Sequence, residues 1–229
     1  MKKNGSGYSA GELIKAIENE LDAGTYRVGG WQALLDMLKD QNQAVSTALS
    51  QDLTRVSDKL HRRNGFPETA AWMGFVGEYL VFAMSVGALT FEATLARLGG
   101  VILLAMCLQP LIKITVGWGV GVRYSYVYLW YFEPRFKMQF GSYQQMSRGR
   151  KLSLQLAGSV GTPVALLVGW IVLEGDPLLS LLCLLGALGA LALQVGAFFA
   201  VSAGVNKVGP FLLTNLTTPA MLAKEWKQR

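Results

Sequence analysis

The apolar positions of this chain change their spacing partway along it. In the first part they form one-sided stripes: Leu13, Ile14, Ile17 and Leu21, then Trp31, Leu34, Leu35 and Leu38, then Val45, Leu49, Leu53, Val56 and Leu60. Recurrence at intervals of three and four predicts three short amphipathic helices. Ser9 followed by Glu12 has the pattern of a capping box, so the first helix should open near Ser9 and run to about Ala23, where Gly24 ends it. Asn64, Gly65 and Pro67 should close the third. About sixty-five residues is near the lower limit for a domain that folds without staples, so these narrow stripes need a common surface. A small bundle resting on a membrane would supply it; so would a platform whose stripes bind a partner helix or pair between copies.

Beyond residue 69 the stripes give way to continuous apolar runs at 70–91, 98–120, 152–173 and 178–205. Each is long enough for the ~20 residues that cross a bilayer core. Pro110 should bend the second run and Pro163 the third, while the fourth is interrupted only by Gln194. The expected fold is an all-α integral membrane protein. Its four transmembrane helices make two antiparallel hairpins, an amphipathic helical region spans 1–68, and a tail follows at 207–229.

Between the second and third runs lies an aromatic and basic segment, 121–151. Tyr124, Tyr126, Tyr128, Trp130, Tyr131 and Phe132 have rings suited to the headgroup layer, and Arg135, Lys137, Arg148 and Arg150 follow them. The segment reads either as an ordinary aromatic belt or as a surface site for an anionic lipid. In the second case Tyr128, Trp130, Tyr131, Arg135, Lys137, Arg148 and Arg150 would make the headgroup contacts.

Composition sharpens the division. Hydrophobic residues make up 52% of the chain and charged residues 16%, below the roughly 25% charge of a soluble domain. Half of the acidic and basic residues precede Gly74, and residues 1–68 are neutral overall, so the net charge of +6 resides in the connecting segments of the membrane part. Anionic headgroups are the partner this distribution favours, and nucleic acid is not. Lys and Arg crowd into the N-terminal region, 121–151 and the tail, whereas the turns at 92–97 and 174–176 hold one between them. The positive-inside rule then places both termini in the cytoplasm, with the spans in the inner membrane. Lys2 and Lys3 lead into Gly, Ser and Glu rather than an apolar core, so the first span should do the targeting. Cys107 and Cys183 sit inside apolar runs and form neither a disulfide framework nor a zinc pattern.

Polar residues within the spans are the candidate chemistry. A charge in hydrocarbon costs a few kcal/mol, so Glu78 and Lys113 each ask for a partner. With the first turn centred near Leu95, Glu78 falls opposite Ile112, beside Lys113. A structural ion pair and an ion or proton relay extended by Ser85 and Gln109 are both consistent with that depth. Small residues recur every four positions at Ala157, Gly161, Ala165 and Gly169, and again at Ala192, Gly196, Ala200 and Gly204. These ridges should pack on one another, or leave one free for self-association.

Two short resemblances bear on function. Thr115-Val116-Gly117-Trp118-Gly119 resembles the potassium-channel filter TVGYG, but a filter loop follows a short pore helix, and these residues continue a span. Gly117, Gly119 and Gly121 therefore read as loosening a helix end. The stretch from Arg150 to Pro163, with its LAGSVGTP core, resembles the segment that leads into the membrane in site-2-type intramembrane metalloproteases; without histidine ligands it implies at most a lost activity. There is no HExxH, GxSxG or P-loop pattern, and His61 stands among Lys59, Arg62 and Arg63 like a solvated helix end. The expectation is a non-catalytic accessory or scaffold subunit without cofactor or metal, bound to other membrane subunits or to itself. The alternative is a small transporter or lipid-handling protein using Glu78, Gln109 and Lys113 or the basic segment.

Overall fold

The structure is a computed structural model that describes residues 9–27, 29–40, 46–130, 133–205, 207–208 and 211–212. It is mostly helical and divides into two compact units. Unit 1 comprises Met1–Glu68 and Val122–Met146; unit 2 comprises Thr69–Gly121 and Ser147–Arg229.

Unit 1 starts with α1 (Ala10–Asp22), α2 (Gly30–Asp40) and α3 (Thr47–Arg62). The capping box forms: Glu12 N–H donates to Ser9 Oγ, and Ser9 N–H donates to the Glu12 carboxylate. Gly24 and Gly65 take positive φ, at 70° and 66°, where a side chain would be strained, and so end α1 and α3 sharply. The stripes meet one another. Ile14, Ile17, Leu34, Leu53 and Val56 form one buried cluster, with Trp31, Leu49, Leu60 and Phe140 packed against it. Surface ion pairs then tie α1 to α3, from Arg55 and Lys59 to Glu18 and from Lys59 to Asp22.

Phe140 comes from the segment between the second and third membrane helices, which departs from the all-α expectation. Two strands pair antiparallel there, β2 (Tyr124–Trp130) with β3 (Glu133–Met138), with Tyr128 opposite Arg135 and Trp130 opposite Glu133. Its tyrosines alternate with Ser125, Val127 and Leu129, and this period of two, with aromatic and β-branched residues, suits a pleated strand. A short strand β1 (Glu68–Ala70) completes the order β1–β2–β3. Helix α6 (Phe140–Gln144) follows and packs on α3, where Gly141 lies against the Ser50 backbone and donates its N–H to Thr54 Oγ1 at 3.0 Å.

Unit 2 contains four helices long and apolar enough to cross a membrane: α4 (Ala71–Leu89), α5 (Thr94–Gly119), α7 (Arg148–Val172) and α8 (Pro177–Ser202). All four lie within a few residues of the expected spans, and α5 and α7 continue through Pro110 and Pro163. Gly117 and Gly119 are helical and Gly121 has φ of 94°, so the filter-like sequence is a helix end. Neighbours in sequence are neighbours in space: α4 packs on α5, α5 on α7 and α7 on α8. Of the expected tail, the described residues form a small ladder of β4 (Lys207–Val208) with β5 (Phe211–Leu212).

Candidate functional site

The α5–α7 seam sets the membrane site. Arg97 Nη1 donates to the Val172 carbonyl at 3.2 Å, Gly169 faces Val101, and Gly161 faces the backbone of Gln109. Thr162 Oγ1 donates to Gln109 Oε1 at 3.1 Å. These pairs keep a single antiparallel register, and continuing it by one turn brings Lys113 level with Ala157 and Thr115 level with Gln155. Gln155 is fully buried at 0% exposure. On the other flank of α5, Tyr79 Oη and Thr115 Oγ1 share a hydrogen at 3.4 Å, and the Phe75 and Trp118 rings meet edge-on at 4.3 Å. Ser85 Oγ donates to the Gly100 carbonyl at 2.9 Å nearer the turn.

Glu78 is buried at 5% exposure, one residue before Tyr79 on α4. Along the α5–α7 seam Lys113 and Gln155 stand within a turn of one another, with Gln109, Ser159 and Thr162 further along it, and α4, which carries the buried Glu78, packs against α5. Chemically this seam offers one carboxylate, one ammonium, two amides and two hydroxyls. Gln155 and Thr162 were visible in the sequence as polar residues of a span, but their depth relative to Glu78 depends on the helix pairing.

The two small-residue ridges do not pack on each other as expected. Gly161 meets Gln109 of α5, Ala165 is buried, and Gly169 lies between Val101 of α5 and Cys183 of α8. On α8 the buried positions are Ser180, Cys183, Ala187, Ala197 and Val201, whereas Ala192 and Gly196 are exposed and Ala200 is half-buried. A Cβ on Gly196 would meet nothing within 4 Å.

Unit 1 carries a second site, around His61. Its ring nitrogen Nδ1 lies 2.9 Å from Tyr126 Oη, and its ring meets Tyr128 edge-on at 4.3 Å. Burial first, and Lys137 second, push the His61 pKa down, so the imidazole is neutral at pH 7. Burial also raises the Tyr126 phenol. His61, Arg62, Phe66, Glu68, Tyr126 and Tyr128 line a cavity of about 230 Å³. In the sequence His61 reads as a solvated helix end, because its partner Tyr126 is 65 residues away.

Lys137 also has a role that its sequence position hides. Its Nζ donates to Ser57 Oγ at 2.7 Å and lies 4.0 Å from Asp58, while Ser125 Oγ donates to Asp58 at 2.8 Å. Burial lowers the Lys137 pKa, and Asp58 partly offsets that. Among the expected headgroup contacts, Tyr128 therefore belongs to the His61 cluster and Lys137 to the α3 network. Arg135 lies on β3 opposite Tyr128, and Arg148 and Arg150 are exposed in the first turn of α7. Tyr131 and the side chain of Trp130 lie outside the described residues. Among the described residues no three His, Cys, Asp or Glu side chains converge as a metal site would require. No family model, curated protein or solved structure matches this chain.

Proposed function

We propose that this protein is a non-catalytic accessory or scaffold subunit of a membrane complex, which holds unit 1 at the cytoplasmic face of the inner membrane. One observation carries the reading: residues 9–68 and 122–146, separated in sequence by two membrane helices, fold into one unit. Two crossings return the chain to the side it left, which agrees with the Lys and Arg asymmetry, and unit 1 is tethered by three chain connections instead of one. Such anchoring suits a surface that must hold a partner in a fixed place. Purification in mild detergent with mass spectrometry of the co-purified proteins tests this. Stoichiometric membrane partners are expected; a pure homo-oligomer or monomer overturns it. Single cysteines at Gln144 and Glu174, probed on whole cells with an impermeant thiol reagent, test the orientation. Labelling at position 174 with protection at 144 is expected, and the reverse overturns it.

The polar seam favours a second reading, transport or lipid handling. Glu78, Lys113, Gln109 and Gln155 lie on three neighbouring helices, and intramembrane polar groups of that kind mark ion and proton paths.

A further inference from the structure

The cavity of unit 1 is built from groups that recognise charge. Phe66 and Tyr128 stack with centroids 5.7 Å apart and planes 29° from parallel, and His61 and Tyr126 close the other side. The Arg62 guanidinium lies 5.3 Å over the Tyr126 ring, and its Nε is 3.1 Å from a Glu68 oxygen. A cation on an aromatic face with a carboxylate as counterion is the arrangement that selects ammonium groups, and here the chain's own arginine occupies it. That occupant is loosely held. Its side chain is 60% exposed and that of Glu68 36%, and an exposed pair of this kind costs little to open. Gly65, at φ of 66°, leaves the rim bare, since a Cβ there would meet nothing within 4 Å.

We infer that this cavity binds a phosphoammonium zwitterion, the chemistry of a phosphocholine or phosphoethanolamine headgroup. The ammonium takes the place of Arg62 on the aromatic face, opposite Glu68. The freed guanidinium turns its fork to the phosphate oxygens, a geometry that suits it. The existing ion pair decides the ligand class. A plain cation would neutralise Glu68 but stand beside the like charge of Arg62, and a plain anion would pair Arg62 but stand beside the like charge of Glu68. A zwitterion satisfies both. Only Thr69 and Ala70 separate Glu68 from the first membrane helix, so a lipid headgroup is one source and a free phosphodiester or monoester the other. The inference does not depend on the scaffold reading, because a lone protein and a complex subunit could both carry this site.

The test uses the full chain in detergent, followed by native mass spectrometry and tyrosine and tryptophan fluorescence. Phosphatidylethanolamine and phosphatidylcholine should bind at least about tenfold more tightly than phosphatidylglycerol, and Glu68→Gln and Arg62→Gln should each remove most of that preference. Both side chains are exposed, so the melting temperature should stay at the parental value. Competition by free phosphocholine or phosphoethanolamine assigns the site to soluble esters as well; saturable lipid binding without competition assigns it to the bilayer headgroup. Either result supports the zwitterion. Equal binding of phosphatidylglycerol, binding of choline or inorganic phosphate alone as tight as that of the zwitterion, or no saturable binding overturns it. These comparisons on the unaltered protein decide the question even if a variant unfolds.

Discussion

Helices α1, α2 and α3 of unit 1 meet through bulky side chains, Ile14, Leu34, Leu53 and Val56, that fill a common core, and only the short α6 comes in through a glycine, Gly141. In unit 2 the closest approaches are at Gly100, Gly161 and Gly169, while many of its leucines point outward, among them Leu95, Leu185 and Leu193. The difference follows from the solvent each unit is built for. Water drives large apolar groups together in proportion to the area they hide, so unit 1 spends its leucines on its interior. A bilayer gives no such drive between helices, because lipid tails are as apolar as leucine; close packing of small residues and interhelical hydrogen bonds must hold them instead. Ser85 to Gly100 and Thr162 to Gln109 are bonds of that kind. Polar groups follow the same division: Lys137 and Asp58 serve to seat a hairpin on α3, whereas Glu78 and Lys113 stand in a region where any charge is costly.

The largest effect that would sharpen this contrast concerns the two intramembrane charges. If Glu78 and Lys113 form a structural pair, Glu78→Gln and Lys113→Met should each destabilise unit 2 by roughly 3–5 kcal/mol, because the remaining charge is stranded. The double variant Glu78→Leu with Lys113→Met should recover most of the stability, and cellular function with it. Thermal unfolding in detergent alongside growth or complex assembly reads both. A stable but inactive double variant would transfer the pair from structure to transport.

Next in size, Leu53→Ala should cost about 2–5 kcal/mol by opening a cavity in the core of unit 1, while Leu185→Ala, more than half exposed on α8, should change stability by less than about 0.5 kcal/mol. Hydrogen exchange followed segment by segment separates the units; comparable losses of protection would mean that the outward face of α8 is packed against something other than lipid.

Gly161→Leu should cost at least about 1–3 kcal/mol, because a side chain there overlaps the backbone of Gln109. Gly196→Leu should leave the monomer as stable as the parent, since nothing stands near that position. Melting in detergent together with the assembly size checks both, and an unchanged melt with a smaller assembly for Gly196→Leu would make the α8 ridge an interface between copies.

The smallest effect is the acid response of unit 1. Hydrogen bonds from Arg55, then Lys59, hold the Glu18 carboxyl at about 2, below its ordinary 4.5. A depressed carboxyl stabilises the fold above its unfolded value and loses that contribution as pH falls from 4.5 through about 2. Glu18→Gln should therefore flatten the stability profile in that window and cost about 1 kcal/mol at neutral pH, measured by chemical unfolding of the parent and variant. An unchanged acid limb would show that the pair contributes nothing.

Much of the local structure could be read from residues alone. The cap at Ser9, the three stripes and the four spans depend on neighbours within a few positions, where spacing and propensity act directly. The hairpin was half visible: tyrosines at 124, 126 and 128 alternate as a strand requires, but rings in that number also suit a headgroup layer. Only the pairing with residues 133–138 decides between the two.

Sequence by itself therefore determined which segments are helical, which are apolar enough for a membrane, and which residues are costly where they stand. Tertiary structure decided the partners. It joined the segment that follows α5 to the N-terminal helices through Phe140, Gly141 and Lys137, set Gly161 against Gln109 of α5 and Gly169 between α5 and α8, and put His61 against Tyr126. The physical reason is range. Helix periodicity is imposed by backbone geometry within a turn, but the choice of which face meets which depends on the fit of side chains brought together from dozens of residues apart, and no local pattern encodes that fit.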